Sequence, residues 1–172
     1  NASTKGGALK FEAKASSLEQ DKVLGAYPLD VDGDGNIDVM LLRQGENVLM
    51  RGLGSCKFER ANEMWGFDGG DGWSAAFAAT WEKGASWPTI AVGNYINREE
   101  EFSPWGSCTD NWLHRPAAGG GKFAAPVPLK PSFCPLSMLF TDWNRSGTPA
   151  LRMSNDREYY EGGQEQLWRI EP

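Results

Sequence analysis

The sequence lacks any apolar run long enough to cross a membrane, and it has little positive charge. Its 172 residues contain 17 Lys and Arg against 23 Asp and Glu, which gives a formal net charge of −6 at pH 7. A spanning helix needs about 20 consecutive apolar residues, and a nucleic-acid-binding domain needs a basic surface for phosphate contacts. The sequence therefore predicts no membrane span and no nucleic-acid partner.

Histidine and cysteine are also scarce. The three cysteines, Cys56, Cys108 and Cys134, show no Cys-x-x-Cys spacing, so a zinc knuckle or a thioredoxin-like site is not expected. In an oxidising compartment Cys108 and Cys134 are the expected disulfide, because each lies in a loop flanking the same pair of strands. Cys56 is then expected to be either buried and free or paired outside this chain. A reduced, cytosolic set of three thiols is the alternative.

The chain begins at Asn1 without an initiator methionine, a basic segment or an apolar signal segment. We expect a mature or excised segment from which any export signal has been removed.

Sustained helical periodicity is missing as well, because Gly and Pro, 31 of the 172 residues together, interrupt most stretches. Short apolar segments bounded by turn residues predict β-strands instead. The predicted strands are Ile37–Leu42, Val48–Gly52, Phe77–Thr80, Thr89–Val92, Met138–Thr141 and Ala150–Ser154.

Three segments share one pattern, in which a polar turn of about nine residues separates two apolar stretches. They are Leu24–Leu42, Ala75–Asn94 and Leu136–Asn155. Further apolar runs fill the intervals between them: Asn47–Leu53, Cys56–Arg60, Asn111–Arg115 and Lys122–Val127. Four short strands in about 50 residues is the spacing of a propeller blade. We predict one all-β domain, residues 1–172, with about three blades of four antiparallel strands at 20–65, 72–130 and 135–172.

The first of these turns is rich in acidic residues. Positions 1, 3, 5 and 9 are carboxylates, Gly at position 6 permits a tight reversal, and the main-chain carbonyl at position 7 faces the same side. The predicted ligands are Asp30, Asp32, Asp34, Asn36 (main chain) and Asp38. An oxygen-only cage of this kind suits Ca²⁺ rather than Zn²⁺. A metal-free Asp/Gly turn is the alternative.

An EF-hand does not fit this loop. Position 12 would be a bidentate Glu and is Leu41 here, and the flanking segments contain Pro, Gly and β-branched residues instead of helices.

The pattern D-x-D-x-D-G-x-x-D between two strands resembles the FG-GAP/VCBS repeat of integrin-α-like β-propellers. The sequence that follows it, NVLMRGLGSCKFERANEMWGF, is similar to bacterial relatives of cartilage acidic protein, whose blades read N-x-L-x-R before a G-x-F segment. DNWLHRP with GGGKF, and LFTDWNRSGTPALRMSND, repeat the signature. The resemblance implies a Ca²⁺ ion in the loop that joins the first two strands of a blade.

The other two turns depart from this pattern. The third offers Asp142, Asn144 and Ser146, but Ala150 stands where the closing Asp belongs, so we expect a metal-free turn. The second has Glu82 as its one carboxylate, and we expect Trp81 and Trp87 to pack in place of an ion.

Three blades are fewer than the about four to eight of a closed propeller. Exposed first and last sheets would leave apolar faces in water. We therefore expect a fragment of a longer propeller, a partner that supplies further blades, or self-association.

The connections at the end opposite the metal loops combine carboxylates with aromatic rings. Their candidate ligand-binding residues are Asp68, Asp71, Trp73, Glu99, Glu100, Trp105, Asp156, Tyr159 and Tyr160. Such loops suit sugars, cationic peptides or a second cation, and solvated loops without a ligand are the alternative.

The pattern favours a calcium-stabilised, extracytoplasmic binding or interaction module that is not an enzyme. His114 lies in a predicted strand, where a structural role is more common than general-base catalysis, and no G-x-S-x-G occurs. The partner would be a protein or a glycan. A carbohydrate-active enzyme or lectin using the acidic and aromatic loops, and an architectural subunit of a larger assembly, are the alternatives.

Overall fold

The computed structural model describes residues 2–12, 15–97, 106–156 and 163–171. These residues form thirteen strands and one short helix. In chain order they are β1 (Val23–Leu29), β2 (Asp38–Arg43), β3 (Val48–Gly52), β4 (Phe58–Arg60), α1 (Asn62–Trp65), β5 (Ser74–Thr80), β6 (Thr89–Asn94), β7 (Ile96–Asn97), β8 (Ser107–Cys108), β9 (Asn111–His114), β10 (Val127–Leu129), β11 (Pro135–Thr141), β12 (Ala150–Asn155) and β13 (Gln166–Arg169). No helix in these ranges has the length and apolar character needed to cross a membrane.

Neighbouring strands pair antiparallel throughout. The first sheet is β1-β2-β3-β4, the second is β5-β6-β9-β10, and the third is β11-β12-β13, while β7 and β8 form a hairpin inserted between β6 and β9. The predicted all-β chain of antiparallel strands is therefore confirmed. No sheet of the described residues closes into a barrel, and the third sheet contains three strands there rather than the predicted four.

The three main sheets are built on one plan. Each begins with a strand of seven residues followed by a strand of six residues. The register of each first strand shifts at the same place, between its first and third residues: Val23 and Gly25, Ser74 and Ala76, Pro135 and Ser137. The sequence repeat thus corresponds to a repeat of local structure.

The second sheet lies between the other two and buries both of its faces. Alternate side chains of a strand point to opposite faces. Accordingly, Ile90 and Val92 pack with Met40 and Leu42 of the first sheet. Ala91 packs on the other side, in a cluster with residues of the third sheet that include Leu151 and Met153.

The outer faces of the first and third sheets differ. On the first sheet Leu41, Val48 and Met50 are at most 4% exposed, and Leu18 packs against them. On the third sheet Leu139 and Leu167 lie in one row, on either side of Arg152, and are 57% and 53% exposed. The third sheet therefore presents two exposed leucines to solvent, with the exposed Arg152 between them.

The predicted strands agree with the observed ones to within three residues at each end. The apolar run Lys122–Val127 was predicted as a strand, and this prediction is corrected: the strand in this part of the chain is β10, which begins only at Val127. Phe123 donates its backbone N–H to the carbonyl of Trp65 at 2.8 Å, and Ala124 donates to the carbonyl of Arg115 at 2.9 Å, so this stretch bonds both to α1 and to the residue that follows β9. Neither α1 nor the hairpin β7–β8 was predicted.

Candidate functional site

The β1–β2 loop curls through two glycines in the left-handed region, Gly33 at φ +74° and Gly35 at φ +84°. Residues with a Cβ rarely adopt this conformation. Asp30 fixes the curl, because its carboxylate accepts the N–H of Gly33 at 2.9 Å and that of Gly35 at 3.1 Å. The acidic side chains are thereby turned toward one another.

Three of the predicted ligands converge. Asp30, Asp32 and Asp38 each offer a carboxylate oxygen, and these oxygens lie within 4.8 Å of one another. This oxygen-only set fits a hard cation such as Ca²⁺, which takes carboxylate and carbonyl oxygens at about 2.3–2.6 Å. The residues present therefore fit the predicted ion.

Asp38 is the most constrained member of this group. It is fully buried, and its two oxygens accept the N–H groups of Val31 at 2.7 Å and Gly52 at 2.8 Å. Burial raises its pKa, and the nearby carboxylates add to the shift, while the two backbone hydrogen bonds oppose it. A cation between the carboxylates would favour the ionised form.

Asp34 is not part of the converging group. Its carboxylate accepts the N–H of Asn36 at 2.8 Å and pairs with Arg51 Nη2 at 3.0 Å. These contacts lower its pKa, the backbone hydrogen bond most of all. Arg51 Nε also bonds Asp32 at 2.9 Å. The Asp34 carboxylate and the Asn36 carbonyl remain predicted ligands, and the bridging role of Arg51 was not predicted.

The third loop repeats three hydrogen bonds of the first. Asp142 accepts the N–H of Gly147, five residues on, at 2.9 Å, as Asp30 does from Gly35. Asn144 accepts from Ser146, and Ser146 from Thr148, as Asp32 does from Asp34 and Asp34 from Asn36. The loops differ at their last position, where Ala150 replaces Asp38, so the third loop has the turn without the closing carboxylate.

In the second loop an ion pair replaces the acidic cluster. Glu82 accepts a hydrogen bond from Thr89 and pairs with Arg115 Nε at 2.9 Å. Trp87 is buried, edge-on to Trp65, as expected. Trp81 is 47% exposed, so the prediction that it packs in the loop in place of an ion is wrong. The ion pair of Glu82 and Arg115 occupies the loop instead.

Arg51, Arg115 and Arg169 are equivalent residues of the three sheets. Arg169 lies opposite Ala150, and extending the strand registers by one pair places Arg51 opposite Asp38 and Arg115 opposite Thr89. The N-x-L-x-R pattern recurs at 47–51 and 111–115. This recurrence is the sequence signal that could have identified Arg51 and Arg115 as equivalent.

At the opposite end of the sheets, the predicted ligand loops separate into two places. Asp68 and Asp71 line a cavity of about 460 Å³. Trp73 packs edge-on to Tyr95, whose hydroxyl donates to Asp156, and neither Trp73 nor Asp156 lines that cavity. The remaining predicted residues lie outside the described ranges: Glu99, Glu100, Trp105, Tyr159 and Tyr160.

The cavity adds residues that were not predicted as ligands. They include Asn47, Asn94, Thr109, Asp110, Trp112 and His114. His114 is 3% exposed and packs against Phe67, with ring centroids 4.6 Å apart and the ring planes tilted by 36°. Burial lowers its pKa to about 4, and the carboxylate of Asp68 opposes that shift. The ring is therefore neutral near pH 7.

Cys108 and Cys134 form a disulfide. It joins β8 to the residue that precedes β11, and so links the inserted hairpin to the third sheet. Cys56 is free, but it is exposed, so the expectation that a free Cys56 is buried is wrong.

No family model matches the chain, and no curated protein matches it. The resemblance to the FG-GAP/VCBS repeat therefore remains a prediction.

Proposed function

We propose that the chain is a calcium-stabilised, extracytoplasmic binding module of the FG-GAP/VCBS type and that it is not catalytic. The observation that carries the proposal is the convergence of Asp30, Asp32 and Asp38 in the β1–β2 loop. Carboxylates brought this close repel one another, and Arg51 offsets the charge of Asp32 alone among the three. A bound divalent ion would hold the loop and the ends of β1 and β2 together.

In this proposal Asp30, Asp32 and Asp38 hold the ion, and Ca²⁺ supplies positive charge to the loop rather than any reaction chemistry. Gly52 contributes to the geometry, because its N–H orients Asp38 from β3. A Cβ at this position would lie 2.2 Å from the Ile37 carbonyl oxygen. The glycine therefore lets β3 approach the loop closely enough to make that hydrogen bond.

The disulfide supports the extracytoplasmic assignment, since stable disulfides are typical of oxidising compartments. The state of His114 supports a role without catalysis. It is buried and neutral between Phe67 and Phe123, whereas a general base works best with a pKa near the operating pH.

Calcium should raise the melting temperature of the protein, and Asp30→Asn should remove most of that increase. At a free Ca²⁺ concentration ten times the dissociation constant, linkage predicts a gain of about 1.4 kcal/mol in the free energy of unfolding. Differential scanning fluorimetry with added Ca²⁺ or with EDTA measures it. Asp142→Asn, in the equivalent metal-free loop, is the matched control and should keep the full response. An equal melting temperature in Ca²⁺ and in EDTA would show that the metal assignment is wrong.

The exposed leucines of the third sheet favour a second, compatible role in assembly. We propose that Leu139 and Leu167 pack against a further sheet, provided by additional blades or by a second copy of the chain. Each of the two is more than half exposed, and Arg152 lies between them in the row.

Light scattering should therefore detect concentration-dependent association, and the double variant Leu139→Lys, Leu167→Lys should weaken it. Burying two half-exposed leucines is worth about 1 kcal/mol each, so the dimerisation constant should fall by about tenfold or more. Leu53→Lys changes a leucine of similar exposure outside this sheet and should have no effect. A wild-type protein that stays monomeric at all concentrations would contradict self-association.

A further inference from the structure

Arg51 extends from β3 to the β1–β2 loop and binds two of its carboxylates. Its Nε donates to Asp32 Oδ2 at 2.9 Å, and its Nη2 donates to Asp34 Oδ2 at 3.0 Å. The side chains of Arg51 and Asp32 are 31% and 16% exposed, so this ion pair is partly shielded from water. The acidic loop therefore already contains a positive charge supplied by the chain itself.

Both oxygens of each of these carboxylates have a partner. Asp32 Oδ1 accepts the N–H of Asp34 at 3.2 Å, and Asp34 Oδ1 accepts the N–H of Asn36 at 2.8 Å, while both Oδ2 atoms bind Arg51. An ion that drew Asp34 into the converging group would have to take its carboxylate from Arg51. An ion on Asp32 would lie close to the guanidinium, and like charges repel. Arg51 therefore opposes the binding of a cation to this loop.

The equivalent arginines of the other two sheets show the same dependence on loop carboxylates. Arg115 binds both oxygens of Glu82, through Nε at 2.9 Å and Nη2 at 3.1 Å, in a loop where the described residues form no converging acidic group. Arg169 lies opposite Ala150, where the closing carboxylate is missing, and its side chain is 86% exposed. The arginine at this position thus folds onto its loop where the loop offers it a carboxylate.

A third carboxylate, outside the loop, lies beside the Arg51 guanidinium. Glu59 of β4 is opposite Arg51 in the first sheet, and its Oε1 lies 3.7 Å from Arg51 Nη1, which is longer than a hydrogen bond. This carboxylate would still face the guanidinium after its release from Asp32 and Asp34. Arg51 therefore has acidic neighbours on two sides, the loop and β4.

We propose that Arg51 is the internal counter-charge of the β1–β2 loop and competes with a divalent ion for Asp32 and Asp34, so that it limits the affinity of the site. Without an ion, the guanidinium offsets the repulsion among the carboxylates and holds the loop together. With an ion, these contacts are weakened, and the cost of weakening them is subtracted from the binding free energy. This inference rests on the proposed metal site and concerns its regulation.

Isothermal titration calorimetry with CaCl₂ should show that Arg51→Gln binds Ca²⁺ about fivefold more tightly than the wild type, the value of one partly exposed charge pair. In EDTA the same variant should melt at a lower temperature than the wild type, because its carboxylates have lost their counter-charge. Arg51→Lys keeps the charge and should bind Ca²⁺ with nearly the wild-type affinity. Arg115→Gln, the matched control in the second sheet, should leave the Ca²⁺ affinity unchanged.

Unchanged or weaker Ca²⁺ binding by Arg51→Gln would overturn the proposal, since Arg51 would then be indifferent to the ion or would orient its ligands. An equal gain in Arg115→Gln would overturn it too, because the loss of any positive charge would suffice. A double-mutant cycle of Arg51→Gln and Asp34→Asn, measured by urea denaturation in EDTA, tests the counter-charge without any ion, and additive effects would contradict it. If neither the wild type nor Arg51→Gln responds to Ca²⁺, the metal assignment is wrong, and the coupling in EDTA alone decides whether Arg51 is the counter-charge of the loop.

Discussion

Replacing Cys108 and Cys134 together with serine should lower the free energy of unfolding by about 3 kcal/mol, the loop-closure value for a cross-link between residues 26 apart in sequence. This is a large fraction of the about 5–15 kcal/mol that stabilises a typical domain. The bond ties the inserted hairpin to the start of β11, so its loss frees both segments in the unfolded chain. Urea denaturation under non-reducing conditions measures the change.

Cys56→Ser is the matched control for this experiment. Cys56 is free and exposed, and a surface substitution of this kind is expected to change stability by no more than about 0.5 kcal/mol. Treating the wild-type protein with a reductant should reproduce the loss seen in the double variant. If reduction leaves the denaturation curve unchanged, the bond does not form in solution and the support for an extracytoplasmic location disappears.

Acidification should destabilise the protein through His114. Its folded pKa of about 4 lies below the unfolded value of 6.5, so between these values the unfolded state binds the extra proton. Stability is therefore full above about pH 6.5 and falls as the pH decreases toward 4. The free energy of unfolding should fall by about 3 kcal/mol between these two pH values, at about 1.36 kcal/mol per pKa unit.

The comparison with His114→Phe isolates this contribution. Phenylalanine keeps a ring between Phe67 and Phe123 but does not titrate, and the carboxylates that line the same cavity, Asp68, Asp71 and Asp110, are common to both proteins. Denaturant midpoints measured from about pH 7 to pH 4 should decline more steeply for the wild type than for the variant. Parallel declines would mean that the histidine is hydrated in the folded protein.

Local sequence patterns predicted several strands and the convergence of Asp30, Asp32 and Asp38 well, because both depend on neighbouring residues. Val48–Gly52 matches β3 residue for residue, and the spacing of Asp30, Asp32 and Asp38 determines which side chains meet. The bridge from Arg51 to Asp32 and Asp34 spans 17–19 residues. It depends on how β3 pairs with β2, which no local spacing specifies.

The cavity could not be predicted for the same reason. His114 reads as an ordinary strand residue, and its burial beside a cavity depends on the packing of a separate connection, 68–72, against the second sheet. Phe123 was assigned to a strand by its apolar neighbours, yet it forms an isolated bridge to Pro116 and donates its N–H to the carbonyl of Trp65. Contacts between distant segments override local preference at both places.

The two ends of the row of three sheets differ, because the outer face of the first sheet is covered and that of the third sheet is exposed. Because Leu18 and the buried side chains Leu41, Val48 and Met50 close one end, another sheet can be added only next to Leu139 and Leu167 without displacing the amino-terminal segment. Two copies joined through their open ends would meet head to head and stop there, as a symmetric pair does. Growth into a longer array would first require the covered end to be uncovered.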